Sequence, residues 1–207
     1  MEVKGKRGSR RRTRRSQAER TRATREALIA AARRLFADRG YAEVGTEEIV
    51  QVAGLTRGAL YHQFGSKKEL LAAVYERIEG EVAERIAAGA PGASDPLEAM
   101  RAGIETALDA CLEPEVQRIV FLDAPAVLGW ERWREIGAQH GLGLIEGTLQ
   151  AAIEAGLIKH QHVRPLAHVL MGALDEAAML IARAEDPAAM RAEVSPTLQA
   201  LLDGLRP

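Results

Sequence analysis

The stretch Thr46-Glu47-Glu48-Ile49-Val50-Gln51-Val52-Ala53-Gly54-Leu55-Thr56-Arg57-Gly58-Ala59-Leu60-Tyr61-His62-Gln63-Phe64 decides the architecture. Thr46 is a good N-cap for a short helix, and Glu47 and Glu48 suit the positive end of that helix's dipole. Gly54-Leu55 reads as a tight turn. Thr56 caps a second short helix, from Arg57 to about Gln63. Two short helices joined by a glycine-containing turn make a helix-turn-helix. The second helix of such a unit has two duties. One face packs on its neighbours, and the other offers polar groups to base edges in the major groove. Leu55, Leu60 and Phe64 are assigned to the inner face, against Ile49 and Ala53. Thr56, Arg57, Gly58, Tyr61 and His62 are left outside. An arginine here suits a bidentate contact to guanine, and His62 suits a base edge or a phosphate. Gly58 lowers helix propensity by about 1 kcal/mol relative to alanine, which close approach of the backbone to DNA would offset.

Working outward, Leu28, Ala31, Ala32, Leu35 and Phe36 recur at helical spacing and give a first helix from about Gln17 to Asp38. Ser16 and Glu19 form a capping box at its start, and Gly40 supplies a left-handed stop. Ser66 and Glu69 form a second capping box before a long helix through Leu70, Leu71, Val74, Ile78 and Val82. A Gly/Pro-rich loop spans Gly89 to Pro96. Five further helices are expected at about 96–112, 114–128, 130–155, 162–184 and 187–204, with Pro125 bending or ending its own. Alanine is frequent, aromatic residues are only 4% of the chain, and runs of alternating β-branched residues are almost absent. The fold class is therefore all-α, with an N-terminal three-helix helix-turn-helix domain followed by a larger helical domain.

Charge is divided unevenly. The formal net charge is −1, yet residues 1–25 carry eleven basic side chains and two acids. Arg10, Arg11, Arg12, Arg14 and Arg15 form the densest part. Such an arm, expected to be disordered when free, adds a salt-dependent and sequence-independent attraction to a polyanion. Arginines of this kind also enter narrow minor grooves. The domain reading is thus a basic arm over 1–15, the helix-turn-helix domain over 16–70 and the helical domain over 71–207. No apolar run looks long enough to cross a bilayer, and no apolar segment follows the basic start. A cytoplasmic protein with no membrane partner is expected.

Phe36-Ala37-Asp38-Arg39-Gly40-Tyr41, Thr46-Glu47-Glu48-Ile49, the run Ala53 to Phe64, and Ser66-Lys67-Lys68-Glu69-Leu70 together resemble the DNA-binding domain of the TetR (tetracycline-repressor) family, over about residues 24–72. The resemblance implies phosphate contacts from Thr46, Tyr61 and Lys67. It implies recognition-helix contacts from Thr56, Arg57, Gly58 and His62. It further implies a homodimer whose last two helices pair as a four-helix bundle. Two recognition helices would then lie on successive major grooves of a pseudo-palindromic double-stranded DNA operator. The implied function is a transcriptional repressor released by a small-molecule effector bound in the helical domain, with the fourth helix as lever. The segment Leu122 to Trp133 resembles one subgroup of these effector domains.

Ile104, Leu108, Phe121, Trp130, Trp133 and Met171 are the candidates for an effector pocket. Each also suits plain core. Cys111 reads as a small buried apolar residue. Asp175-Glu176 interrupts an otherwise apolar helix and reads as a solvated face, with a buried polar role at a dimer seam as the alternative. His160 and His162, with His140 and His168, lack metal-ligand spacing. No nucleophile motif, phosphate-binding glycine loop or zinc pattern is present, so neither an enzyme nor a cofactor is expected. Two other readings use the same residues: a ligand-binding or scaffolding protein that keeps the helix-turn-helix only as structure, and a polyanion binder driven by the arm alone.

Overall fold

The computed structural model describes residues 7–89 and 92–207, with side chains described from residue 17 onward apart from that gap. The described residues are helical, without strands. Nine α-helices follow in order: α1 (Arg7–Arg39), α2 (Thr46–Ala53), α3 (Arg57–Phe64), α4 (Lys67–Gly89), α5 (Pro96–Ala110), α6 (Ala124–Leu128), α7 (Trp130–Glu154), α8 (Val163–Arg183) and α9 (Pro187–Asp203). A π-helical segment, Val116–Asp123, leads into α6.

The first helix departs from expectation. It runs from Arg7, so the chain is already helical at Ser16 and no capping box starts there. The described part of the arm continues α1 instead of lacking structure. The side chains of Arg10, Arg11, Arg12, Arg14 and Arg15 lie outside the described residues. At the other end, Gly40 stops α1 with φ 83° and donates its N–H to the Phe36 carbonyl at 2.8 Å.

Leu28, Ala32, Leu35 and Phe36 on α1 are buried with Ile49, Leu60, Phe64 and Leu70, which closes the small N-terminal core. Here α1 packs on α2, α3 and α4. Charged pairs flank this packing. Arg33 on α1 reaches Glu81 of α4 at 2.8 Å and Glu115 beside the π segment at 3.0 Å. Arg77 on α4 reaches back to Glu26 at 2.6 Å. These half-exposed pairs fix geometry more than they add stability.

The π segment has a sequence cause. Ala124 donates to the Ile119 carbonyl, five residues back. In that register the Val120 carbonyl should receive the N–H of residue 125, but Pro125 has none. The indole Nε1 of Trp133 donates to the Val120 oxygen instead, at 2.8 Å. Pro125 therefore does not break a helix; it sits in the first turn of α6, just past the π turns.

In the larger domain α7 packs between α4, α5 and α8, and α9 packs on α5 and α8. Asp95 caps α5 through the Glu98 N–H at 2.9 Å. Glu105 of α5 gathers Arg191, Ser195 and Gln199 of α9, each at 2.7 Å. Against the opposing effect of burial, these partners hold its carboxyl below the usual range. One expectation needs correction: α8 is long and apolar enough, by length and composition, to cross a bilayer. Asp175 and Glu176 at its middle are costly in lipid. In the fold this helix packs against α7 and α9.

Candidate nucleic-acid interface and ligand cavity

The helix-turn-helix is built as its residues demand. Gly54 adopts φ 66°, a left-handed turn that an L side chain resists, and donates its N–H to Gln51. Thr56 caps α3 by accepting the Ala59 N–H at 3.3 Å. Thr46 does not cap α2; the cap position is Gly45, and Thr46 is the first helical residue. Leu60 and Phe64 face the core, and Arg25 of α1 lies 4.6 Å over the Phe64 ring.

The outer face gathers most of the expected contact residues. Thr56, Arg57, Gly58, Tyr61 and His62 are exposed, and Thr46 is half-buried beside them. Arg57 spans this face. Its guanidinium lies 5.5 Å over the Tyr61 ring and pairs with Glu47 at 3.1 Å. Arg57, then Thr46, hydrogen-bond the Tyr61 phenol and hold its pKa below the ordinary value. The nearest atom to a Cβ placed on Gly58 is Thr56 Oγ1 at 3.9 Å. Packing within the protein therefore does not require glycine at this position.

Lys67 is placed differently. Its ammonium donates to the carbonyls of Tyr41 and Val44, both at 2.7 Å, and lies 4.0 Å over the Tyr41 ring. Burial lowers its pKa, partly opposed by the Asp123 charge. This lysine braces the α1–α2 loop from inside. The same loop receives the end of the π segment: Asp123 accepts the Tyr41 N–H at 2.7 Å. A Cβ on Gly40 would stand 2.9 Å from Arg118 Nη1, the far end of a flexible side chain that can move aside, so it is the φ of 83° that favours glycine here.

The larger domain holds a partly open apolar cavity of about 170 Å³ between α4, α5, α7, α8 and the π segment, with Leu198 of α9 also lining it. Ile104, Leu108, Phe121 and Met171 line it, with Glu79, Cys111 and Asp175 among the other lining residues. Trp130 and Trp133 do not. Trp133 is 2% exposed and spends its indole on Val120, while Trp130 is 60% exposed outside it, 5.0 Å from the Trp133 ring. Asp175 is not on a solvated face; it lines the cavity and pairs with Arg134 of α7. Burial pushes the Cys111 thiol up to about 12, which keeps it unreactive. Burial also raises the Glu79 carboxyl to about 7, against the pull of its hydrogen bond from Tyr75. Sequence reading passed over Glu79. The available signal was its spacing, four residues after Tyr75 and three before Val82, which puts an acid on the apolar face of α4. Among the described residues, no three His, Cys, Asp or Glu side chains gather as a metal site.

Comparison with known proteins agrees with both halves of this geometry. Residues 28–74 match the model for bacterial regulatory proteins of the tetR family, and residues 97–205 match the tetracyclin repressor-like C-terminal domain. The chain belongs to the TetR family. A TetR-family transcriptional regulator from Pectobacterium atrosepticum shares 39% identity, with a TM-score of 0.81 over 91% of this chain and 96% of its own. The Transposon Tn10 TetC protein of Escherichia coli is 26% identical over 75% of this chain and 79% of its length. RolR, solved in complex with resorcinol, shares the fold at 23% identity and a TM-score of 0.69, over 92% of this chain and 98% of its own. This TetR-family member is thus a DNA-binding transcriptional regulator with a helical, tetracyclin repressor-like C-terminal domain, and its relatives are transcriptional regulators.

Proposed function

We propose that this TetR-family regulator is a homodimeric repressor that leaves a pseudo-palindromic operator when a small organic effector fills the cavity. The observation that carries this reading is the Asp123–Tyr41 contact, because it connects the cavity wall to the helix-turn-helix loop. Thr46, Thr56, Arg57, Gly58, Tyr61 and His62 form the DNA face, and Lys67 holds the loop that positions it. Arg57 releases Glu47 and turns to a base or a phosphate. The arm, with Arg10, Arg11, Arg12, Arg14 and Arg15, adds sequence-independent attraction to the phosphates. The domain division places the arm in residues 1–15, the reader in 16–70 and the effector and dimer domain in 71–207.

Dimerisation is supported by apolar surface on the last two helices. Val169 and Leu180 of α8 are 68% and 45% exposed, and Leu201 of α9 is 51% exposed. Val169 and Leu180 are eleven residues apart, three helical turns, and so share one face. A second copy covers such a face by two-fold symmetry, which also places two α3 helices on one side of DNA. RolR, a neighbour in fold, was solved with the ligand resorcinol, a small aromatic diol; an effector of similar size fits the cavity of this chain. A regulator of DNA works where the chromosome is, in the cytoplasm.

The test is binding of the purified full chain to its own promoter region against random DNA of equal length. Specific regulation predicts a tighter complex on the promoter fragment, lost in Arg57→Ala. Equal affinity for both DNAs, or indifference to Arg57→Ala, overturns the reading.

A further inference from the structure

The cavity wall carries one acid that no base neutralises. Asp175 is paired with Arg134. The Tyr75 hydroxyl, which donates to the Trp133 carbonyl at 3.2 Å, lies beside Glu79, and among the described residues no basic side chain forms an ion pair with that acid. The titratable and charged groups around it are Tyr75 on its own helix, Cys111 after α5, Arg134 and His140 on α7, and Asp175 on α8. Tyr75 and Cys111 are kept neutral by burial. The Arg134 charge is spent on Asp175. His140 lies against Gly80, with its Cε1 3.7 Å from where a Cβ would stand. The rest of the wall near Glu79 is Ile78, Val82, Ile104 and Leu108. A buried carboxylate in such surroundings is costly unless a positive partner arrives.

We infer that the effector is a small apolar amine, about one ring in size, whose ammonium group pairs with Glu79 while its body fills the apolar cavity. This rests on the reading of the cavity as the effector site. The size follows from the cavity of about 170 Å³, since one of about 150 Å³ holds benzene. The charge follows from the wall. A neutral hydroxyl gains only a neutral hydrogen bond to the protonated Glu79 carboxyl, and a carboxylate ligand would be buried there with no positive partner. An ammonium group donates several hydrogen bonds and cancels the Glu79 charge.

The proton balance is simple. With a carboxyl pKa of about 7, the empty cavity holds a proton on Glu79 at pH 6. The amine enters as its ammonium ion, Glu79 passes that proton to the buffer, and the ion pair forms with no covalent change. Binding at pH 6 therefore releases about one proton.

The experiment is calorimetric titration of the full-length protein at pH 6, in two buffers of different ionisation heat. The ligands are benzylamine, benzyl alcohol and benzoate. Benzylamine should bind at least about tenfold more tightly than benzyl alcohol, with a buffer-dependent heat that reports the proton released. Glu79→Gln should abolish both the preference and the proton release while benzyl alcohol affinity is retained. If benzyl alcohol or benzoate binds as tightly as benzylamine, or if Glu79→Gln keeps the preference, the amine inference is overturned and the cavity still stands as an effector site. If none of the three binds, both are overturned. The wild-type charge series decides the matter even if Glu79→Gln fails to fold.

Discussion

Asp123 accepts the backbone N–H of Tyr41 at 2.7 Å, and so joins the end of the cavity wall to the loop that leads into the DNA-reading helices. Val116, Val120 and Phe121 of the same π segment line the cavity. A ligand that shifts this segment pulls on the loop directly, without acting through α4 alone. Asp123→Ala removes the tie and leaves the cavity intact. We expect effector-induced release of operator to weaken by about fivefold or more, the lower range of allosteric coupling, with ligand affinity for the free protein retained. Operator affinity with and without saturating ligand measures this, and an unchanged ratio would show that the contact carries no coupling.

Lys67 and Arg57 are both cations near the DNA face, and they should behave differently. Lys67 gives its charge to two carbonyls inside the loop. Lys67→Ala should cost about 2 kcal/mol of stability and leave the slope of log affinity against log salt unchanged. Arg57→Ala should leave stability nearly unchanged and weaken operator binding by about 1–3 kcal/mol. Thermal melts and a salt titration separate the two. A slope reduced by about one ion in Lys67→Ala would assign that lysine to a phosphate after all.

Gly58 offers a separation of stability from function. Its α-helical setting has space for a methyl group, the nearest atom being 3.9 Å from the added carbon. Gly58→Ala should therefore stabilise the protein, by up to about 1 kcal/mol. If the α3 backbone closes on DNA here, the same change should weaken operator binding. Gain in melting temperature with full operator affinity would mean that DNA stays clear of this residue.

The helix-turn-helix was legible because each of its signals is local. The Thr56 cap, the Gly54 turn and the spacing of Leu60 and Phe64 all lie within one short stretch. The start of α1 was not legible, because the arginine-rich run has no apolar periodicity and Ser16 reads equally as cap or helix interior. The inward turn of Lys67 depends on where two carbonyls of another loop fall in space. The same holds for Trp133. Its indole answers a carbonyl orphaned by Pro125, a demand that exists only once the π register is known. Ile104, Leu108, Phe121 and Met171 line the cavity and Trp130 and Trp133 do not, while the inward place of Glu79 depends on how α4, α5 and α7 come together in space.

The exposed apolar face of α8 should be the dimer seam. Val169→Glu places a charge where a second copy buries apolar surface. The expected outcome is a monomer by sedimentation at micromolar concentration, still folded by circular dichroism, with operator affinity reduced by at least about a hundredfold because each half-site must then be bound alone. A stable dimer in this variant would move the seam elsewhere.

Glu79 makes a pH prediction with a definite sign. Its carboxyl is raised from 4.5 to about 7 in the folded protein, chiefly by burial. Between those values the native state binds more protons than the unfolded chain, so stability falls as pH rises. The contribution is fully present below about pH 4.5 and is lost as pH passes through about 7. The full shift corresponds to about 3 kcal/mol. Glu79→Gln removes the titration and keeps the side chain's shape. We expect this variant to be more stable than the parent at pH 8, and the difference to shrink or reverse at pH 5. Denaturant midpoints at the two pH values measure it. Parallel changes in both proteins would show that Glu79 is ionised and solvated throughout, contrary to its place in the cavity wall.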